Sequence, residues 1–164
     1  MIADLAEATA LLHREAMLLD EQDWDAWLAL YEEDAEFWMP AWKSESRPTE
    51  DPMRELSMIY YAGRAGLEDR VQRIRSGKSV ASTPLRRTAH MVGNILLDGE
   101  DGEILNVKSS FNVHVYDTRM KTQHVFFGRT THGLVRRGAA LAIRRKKVIL
   151  ANDCIPTMLD VYCV

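Results

Sequence analysis

The stretch E-I-L-N-V-K-S-S-F-N-V-H-V-Y, residues 103–116, constrains the fold more than any other part of the chain. Leu105, Val107, Phe111, Val113 and Val115 occupy one phase of a two-residue repeat. Asn106, Lys108, Ser110, Asn112, His114 and Tyr116 occupy the other. Successive side chains of a strand point to opposite faces, so this period predicts a long strand with one face on a core. That is the pattern of an antiparallel sheet covered on one side. "RTAHMVGNILL" and a D-G-E-D-G turn precede it, and "THGLVRR", a turn at Gly138 and "LAIRRKKVILAND" follow it as a meander.

The first half of the chain has a helical period instead. Leu5, Leu12 and Leu19 recur at seven, with Leu11 and Leu18 beside them, which predicts a helix from about Asp4 to Leu19. Asp4 is placed to cap it, with Glu7 three residues on. All four tryptophans lie between residues 23 and 42. Trp24, Trp27, Leu28 and Tyr31 share one face of a short helix capped by Asp23, and are expected in the core. "AEFWMPAW" reads as a strand that Pro40 confines to an edge or a bulge. Residues 43–54 are expected to form a loop and "LSMIYY" a strand. Leu67, Val71 and Ile74 mark a third helix ending near Gly77. Helices first and a meander last predict an α+β fold, with helices on one face of a curved sheet, over a single domain of residues 1–164.

Composition narrows the class. Hydrophobic residues make up 46% and charged residues 27%, as in a soluble globular protein. A net charge of −3 argues against nucleic acid as a partner. No apolar run approaches the roughly 20 residues that span a bilayer, and Asp4 and Glu7 argue against a signal peptide. Two cysteines, Cys154 and Cys163, do not make a disulfide scaffold, so a reduced, cytoplasmic protein is expected.

The chemistry-bearing motifs are few. "SGKS" at 76–79 lacks the earlier glycine of a phosphate loop, since Gln72 stands there, and it ends a helix rather than opening one. No Cys-x-x-Cys exists. His124 and His132 are eight residues apart on one strand and cannot share a metal. His114 and His124 fall opposite each other if their turn centres near Arg119. Two histidines are an incomplete metal site, and a polar sheet face or subunit contact is the plainer reading. Tyr31, Asp34 and His90 form the best acid–base set, if a pocket between helices and sheet gathers them. Each also has an ordinary role: core, cap or loop, and hydrogen-bonded strand residue. "RRKK" at 144–147 alternates between strand faces and is expected on a solvated strand edge. From the residues alone, no catalytic constellation emerges.

Three long blocks occur in register with a known family: "REAMLLDEQDWDAWLALYEEDAEFWMPAW", "LSMIYYAGRAGLEDRVQRIRSG" and "RRTAHMVGNI". In the last, Arg87, Thr88, His90 and Asn94 match an R-T-x-H-x-x-x-N pattern. Over nearly its whole length the chain resembles the small (β) subunit of aromatic-ring-hydroxylating dioxygenases, in the branch acting on benzoate-like acids. The resemblance implies a cone-shaped, strongly curved, mainly antiparallel sheet with helices on its concave face, as in nuclear transport factor 2 and steroid isomerases.

It further implies three α and three β chains. The α chain would hold a Rieske [2Fe-2S] cluster and a mononuclear Fe(II), with electrons relayed from NADH by a separate reductase. No catalytic, cofactor-binding or metal-binding residue is carried onto this chain. The alternative is a stand-alone isomerase, dehydratase or cyclase on the same cone, using Tyr31, Asp34 and His90. Trp38 and Trp42 are expected on a strand face left for a partner.

Overall fold

The computed structural model describes residues 5–78, 83–152 and 159–164. Asp4, the expected first cap, and Cys154 lie outside them. Helix α1 (Leu5–Glu21) buries Leu11, Leu12, Leu18 and Leu19, the stripe that predicted it. Glu7 pairs with Arg136 at 2.5 Å.

Helix α2 (Trp24–Leu28) is capped as expected, with Asp23 Oδ1 accepting from the Ala26 amide at 3.2 Å. It is shorter than its periodicity suggests, because Tyr31 already begins strand β1 (Tyr31–Pro40). The backbone explains the break. The Leu30 carbonyl accepts from the Ile143 amide at 2.8 Å, so the sheet takes the groups a longer helix would have used. The aromatic set is core all the same. Trp24, Trp27 and Tyr31 are buried, with the Trp27 and Tyr31 rings edge to face at 5.3 Å.

Residues 43–54 are not wholly loop, since β2 (Trp42–Ser44) pairs with β3 (Arg47–Pro48). Strand β4 (Ser57–Ala62) and helix α3 (Arg64–Ser76) follow, and Gly77 ends the helix at φ 63°, a conformation that suits glycine. The meander consists of β5 (Arg87–Asp101), β6 (Ile104–Asp117), β7 (Thr122–Arg137) and β8 (Ala140–Leu150). Strand β5 runs through the expected D-G-E-D-G turn as far as Asp101, so the reversal comes at Gly102.

The six-stranded sheet has the order β4-β1-β8-β7-β6-β5, antiparallel except where β1 and β8 run parallel. Register shifts within β5, and between Gly133 and Leu134 on β7, bend the sheet around the helices. Pro40 sits at a register shift against β4, where its missing N–H removes no regular ladder bond. The backbones of β7 and β8 approach closely at Gly128, where a Cβ would meet the Ile149 carbonyl oxygen at 2.0 Å.

The inner face carries Leu105, Val107, Phe111, Val113 and Val115, all buried, as the alternation predicts. Segment 159–164 packs against this core: Tyr162 lies edge-on to Trp24 at 6.1 Å, and Asp160 is held by Arg70 of α3 at 2.5 Å. The result is the curved α+β cone that the resemblance implies.

Two expectations fail here. Strand β8 is internal, because β1 pairs along its other side, so "RRKK" is not on a solvated edge. Trp38 is not left open either. Its Nε1 donates to Ser57 Oγ at 2.9 Å, and Lys147 Nζ lies 4.3 Å from its ring centroid. Trp42 is half-buried and donates to the Leu150 carbonyl at 2.7 Å.

Candidate functional site

The polar groups of the cone interior come from elements that are otherwise apolar. Glu15 lies in the leucine stripe of α1, between Leu12 and Leu19, and is 3% exposed. Lys146 shares the inward phase of β8 with Val148 and Leu150, and His132 that of β7 with Phe126 and Leu134. Folding brings all three to one point. Lys146 Nζ donates to Glu15 Oε1 at 2.8 Å, and His132 Nε2 lies 3.0 Å from Glu15 Oε2. The Tyr31 hydroxyl also donates to Glu15 Oε1.

Charge and burial oppose each other in this cluster. Burial alone would raise the Glu15 carboxyl. The Lys146 and His132 side chains attract its charge and bond to it, and together they hold it well below the usual carboxylate range. Tyr31 is pushed well above its ordinary value, by burial first and by the Glu15 carboxylate second, so it stays a phenol that donates. A carboxylate with three donors is satisfied and held in place, which suits a structural junction better than a base awaiting a substrate proton.

His90 belongs to a second group. Its Nδ1 lies 2.5 Å from Asp20 Oδ1, and its backbone amide donates to Asp20 Oδ2 at 2.9 Å. Thr88 Oγ1 donates to Asp20 Oδ1 at 2.8 Å. Burial would raise Asp20, but these bonds from His90 and Thr88 outweigh it and lower the carboxyl. Thr88 and His90, two residues of the R-T-x-H-x-x-x-N pattern, thus fasten β5 to the end of α1. Asn94 adopts φ 52° within β5, and its amide donates to Ser110 at 3.3 Å.

The expected acid–base set does not assemble. Tyr31 and His90 point inward to different carboxylates, while Asp34 lies on the outside, mostly exposed and paired with Arg144 at 2.7 Å. Among the described residues, the cavity beside these groups has no room for a ring. Glu15, His90, Ser109, Phe111, His132 and Lys146 help to line a cavity of about 20 Å³, against the roughly 300 Å³ or more of ordinary ligand pockets.

His114 and His124 are not opposite each other. His114 faces Val125 and His124 faces Val115, because the turn is centred half a residue beyond Arg119. A one-residue slip exchanges faces, so the two imidazoles lie on opposite sides of the sheet. His114 Nδ1 lies 2.9 Å from the Gln123 side-chain amide.

A Rieske centre needs two thiolates and two imidazoles. Cys163 does not fit that role: it is buried, and burial pushes its thiol up to about 12. Among the described residues, no three of His, Cys, Asp and Glu converge as metal ligands. No described helix is long and apolar enough to cross a membrane.

Comparison with known proteins agrees with this geometry. Residues 14–157 match the family described as "Ring hydroxylating beta subunit". The chain is 44% identical over 154 residues to the toluate 1,2-dioxygenase subunit beta of Pseudomonas putida, covering 93% of each chain. It is 42% identical over 159 residues to the 2-halobenzoate 1,2-dioxygenase small subunit of Burkholderia cepacia, covering 96% of this chain and 94% of that one. The crystal structure of the beta subunit of the benzoate 1,2-dioxygenase from Burkholderia mallei superposes with a TM-score of 0.83 at 37% identity. That superposition covers 100% of this chain and 99% of the other.

Proposed function

Because the chain belongs to the ring hydroxylating beta subunit family and is the small subunit of an aromatic-ring-hydroxylating dioxygenase, we propose that it serves there as a non-catalytic scaffold. Its partner is a large α chain that carries the Rieske [2Fe-2S] cluster and the mononuclear Fe(II), with electrons arriving from NADH through a separate reductase. The substrate is an aromatic acid of the benzoate class, in keeping with the toluate and halobenzoate names of the relatives. The assembly is three α and three β chains, in the cytoplasm. This chain supplies no group to the reacting atoms.

The observation that carries the reading is how little space the described residues leave in the interior. Tyr31 and His90 are each committed to a carboxylate, and the space beside His90 measures about 20 Å³. That geometry also speaks against the stand-alone isomerase, dehydratase or cyclase.

The test is co-expression with a Rieske-type α chain, followed by native mass measurement, iron analysis and turnover of benzoate. The expected result is a coloured complex of equal stoichiometry that hydroxylates the acid, while this chain purified alone holds no iron and has no turnover. Turnover of an aromatic or steroid-like compound by the lone chain, abolished by Asp34→Asn or His90→Gln, would overturn the proposal.

A further inference from the structure

We propose that the small chamber between α1 and strands β5, β6 and β7 is a binding site for one water molecule, held by His90 Nε2, His132 Nδ1 and Ser109 Oγ. These three atoms are buried and have no hydrogen-bond partner among the described residues, and the residues that carry them line the same cavity. The cavity's volume of about 20 Å³ exceeds the roughly 10–15 Å³ one water requires and excludes anything much larger.

The hydrogen-bond pattern selects the ligand. An ionised carboxylate only accepts hydrogen bonds, so each imidazole must turn its N–H toward its own partner. His90 does so through Nδ1 to Asp20 at 2.5 Å, and His132 through Nε2 to Glu15 at 3.0 Å. The other nitrogens, His90 Nε2 and His132 Nδ1, are left at the cavity with no partner among the described residues. Water both donates and accepts hydrogen bonds, so one molecule can serve each nitrogen and the Ser109 hydroxyl together. Carboxylate–imidazole pairs with a free nitrogen are also found around metals, but here Lys146 lines the chamber and its ammonium opposes a cation. The water makes two separate clusters into one. It links Asp20 and Glu15 of α1, through their imidazoles, across three strands of the sheet.

The test uses the full chain, alone or in the co-purified complex. A crystal structure at atomic resolution is expected to show one fully occupied water within hydrogen-bonding distance of both nitrogens, unaffected by chelator. Nitrogen-15 spectra of the histidine rings are expected to show a proton on His90 Nδ1 and on His132 Nε2, the nitrogens that face the carboxylates. Ser109→Val puts a methyl group in the space. It is expected to expel the water and lower the melting temperature by about 2–4 °C, whereas Ser109→Ala retains the water with a smaller drop. A dry chamber, an anomalous metal signal, either of those nitrogens without its proton, or a Ser109→Val chain as stable as the natural one would each overturn the proposal. The spectra are recorded on the natural chain, so they decide the matter even if Ser109→Val does not fold.

Discussion

Two adjacent rows of the sheet, one residue apart on the same three strands, have opposite fates. His90, Val113 and Phe126 face inward, with Val113 and Phe126 fully buried. Met91, Asn112 and Phe127 face outward, with Met91 63% and Phe127 47% exposed. The inner row is completed by this chain's own helices, rings and charges. The outer row leaves large apolar side chains uncovered. On these three strands, then, the inner row is packed within the chain and the outer row is not.

That contrast can be broken most forcefully at Glu15. Glu15→Ala leaves Lys146 charged and buried without its partner, and urea denaturation is expected to show a loss of about 3–5 kcal/mol. Combining Glu15→Gln with Lys146→Met removes both charges and should restore much of it. A loss below about 1 kcal/mol for the single variant would show that the cluster does not hold α1 to the sheet. Trp27→Ala tests the apolar part of the same interior, with an expected cost near 3–5 kcal/mol. Trp42→Ala, at a half-buried position, should cost less, and equal losses would erase the distinction between inside and rim.

A smaller effect sharpens the electrostatic side. The Glu15 carboxyl lies below its ordinary value of 4.5 in the folded chain. Its contribution is therefore fully present above the unfolded value and is lost as pH falls from there toward the depressed folded value. Melting temperatures measured from neutral pH downward should decline through the carboxylate range, and Glu15→Gln should flatten part of that decline. An unchanged acid limb in the variant would assign the pH dependence to other carboxylates, Asp20 among them. The smallest effect is expected outside. Phe127→Ala should move the chain's denaturation free energy by no more than about 0.5 kcal/mol. If it registers at all, it should do so in the native mass of the co-purified complex. A large loss in the chain alone would mean that the outer row also supports the fold.

Much of the architecture was legible in single elements. The alternation from Leu105 to Val115 identified the inner face of β6, and the leucine stripe identified α1. The polar interior was legible only as an anomaly. Glu15, His132, Lys146 and Ser109 each interrupt an apolar phase, and asking which charged residue stands where a core residue belongs would have found them. Of the acid–base set, Tyr31 and His90 do reach this interior, whereas Asp34 lies outside. The His114–His124 pairing failed on half a residue of turn geometry, which no side-chain pattern records. Tyr31 kept its place in the core but moved from helix to strand, because backbone pairing with β8 overrode a helical period.

Local periodicity therefore determined by itself which faces are apolar, where α1 and α3 run, and that a one-sided sheet closes the chain, because those features depend on side chains a few residues apart. Only the tertiary structure decided which charges meet. Glu15 and Lys146 are 131 residues apart, and their contact depends on strand order, the parallel insertion of β1 beside β8, and the bulges that curve the sheet. A buried charge is tolerable only beside its partner, and that partner is chosen by the fold as a whole.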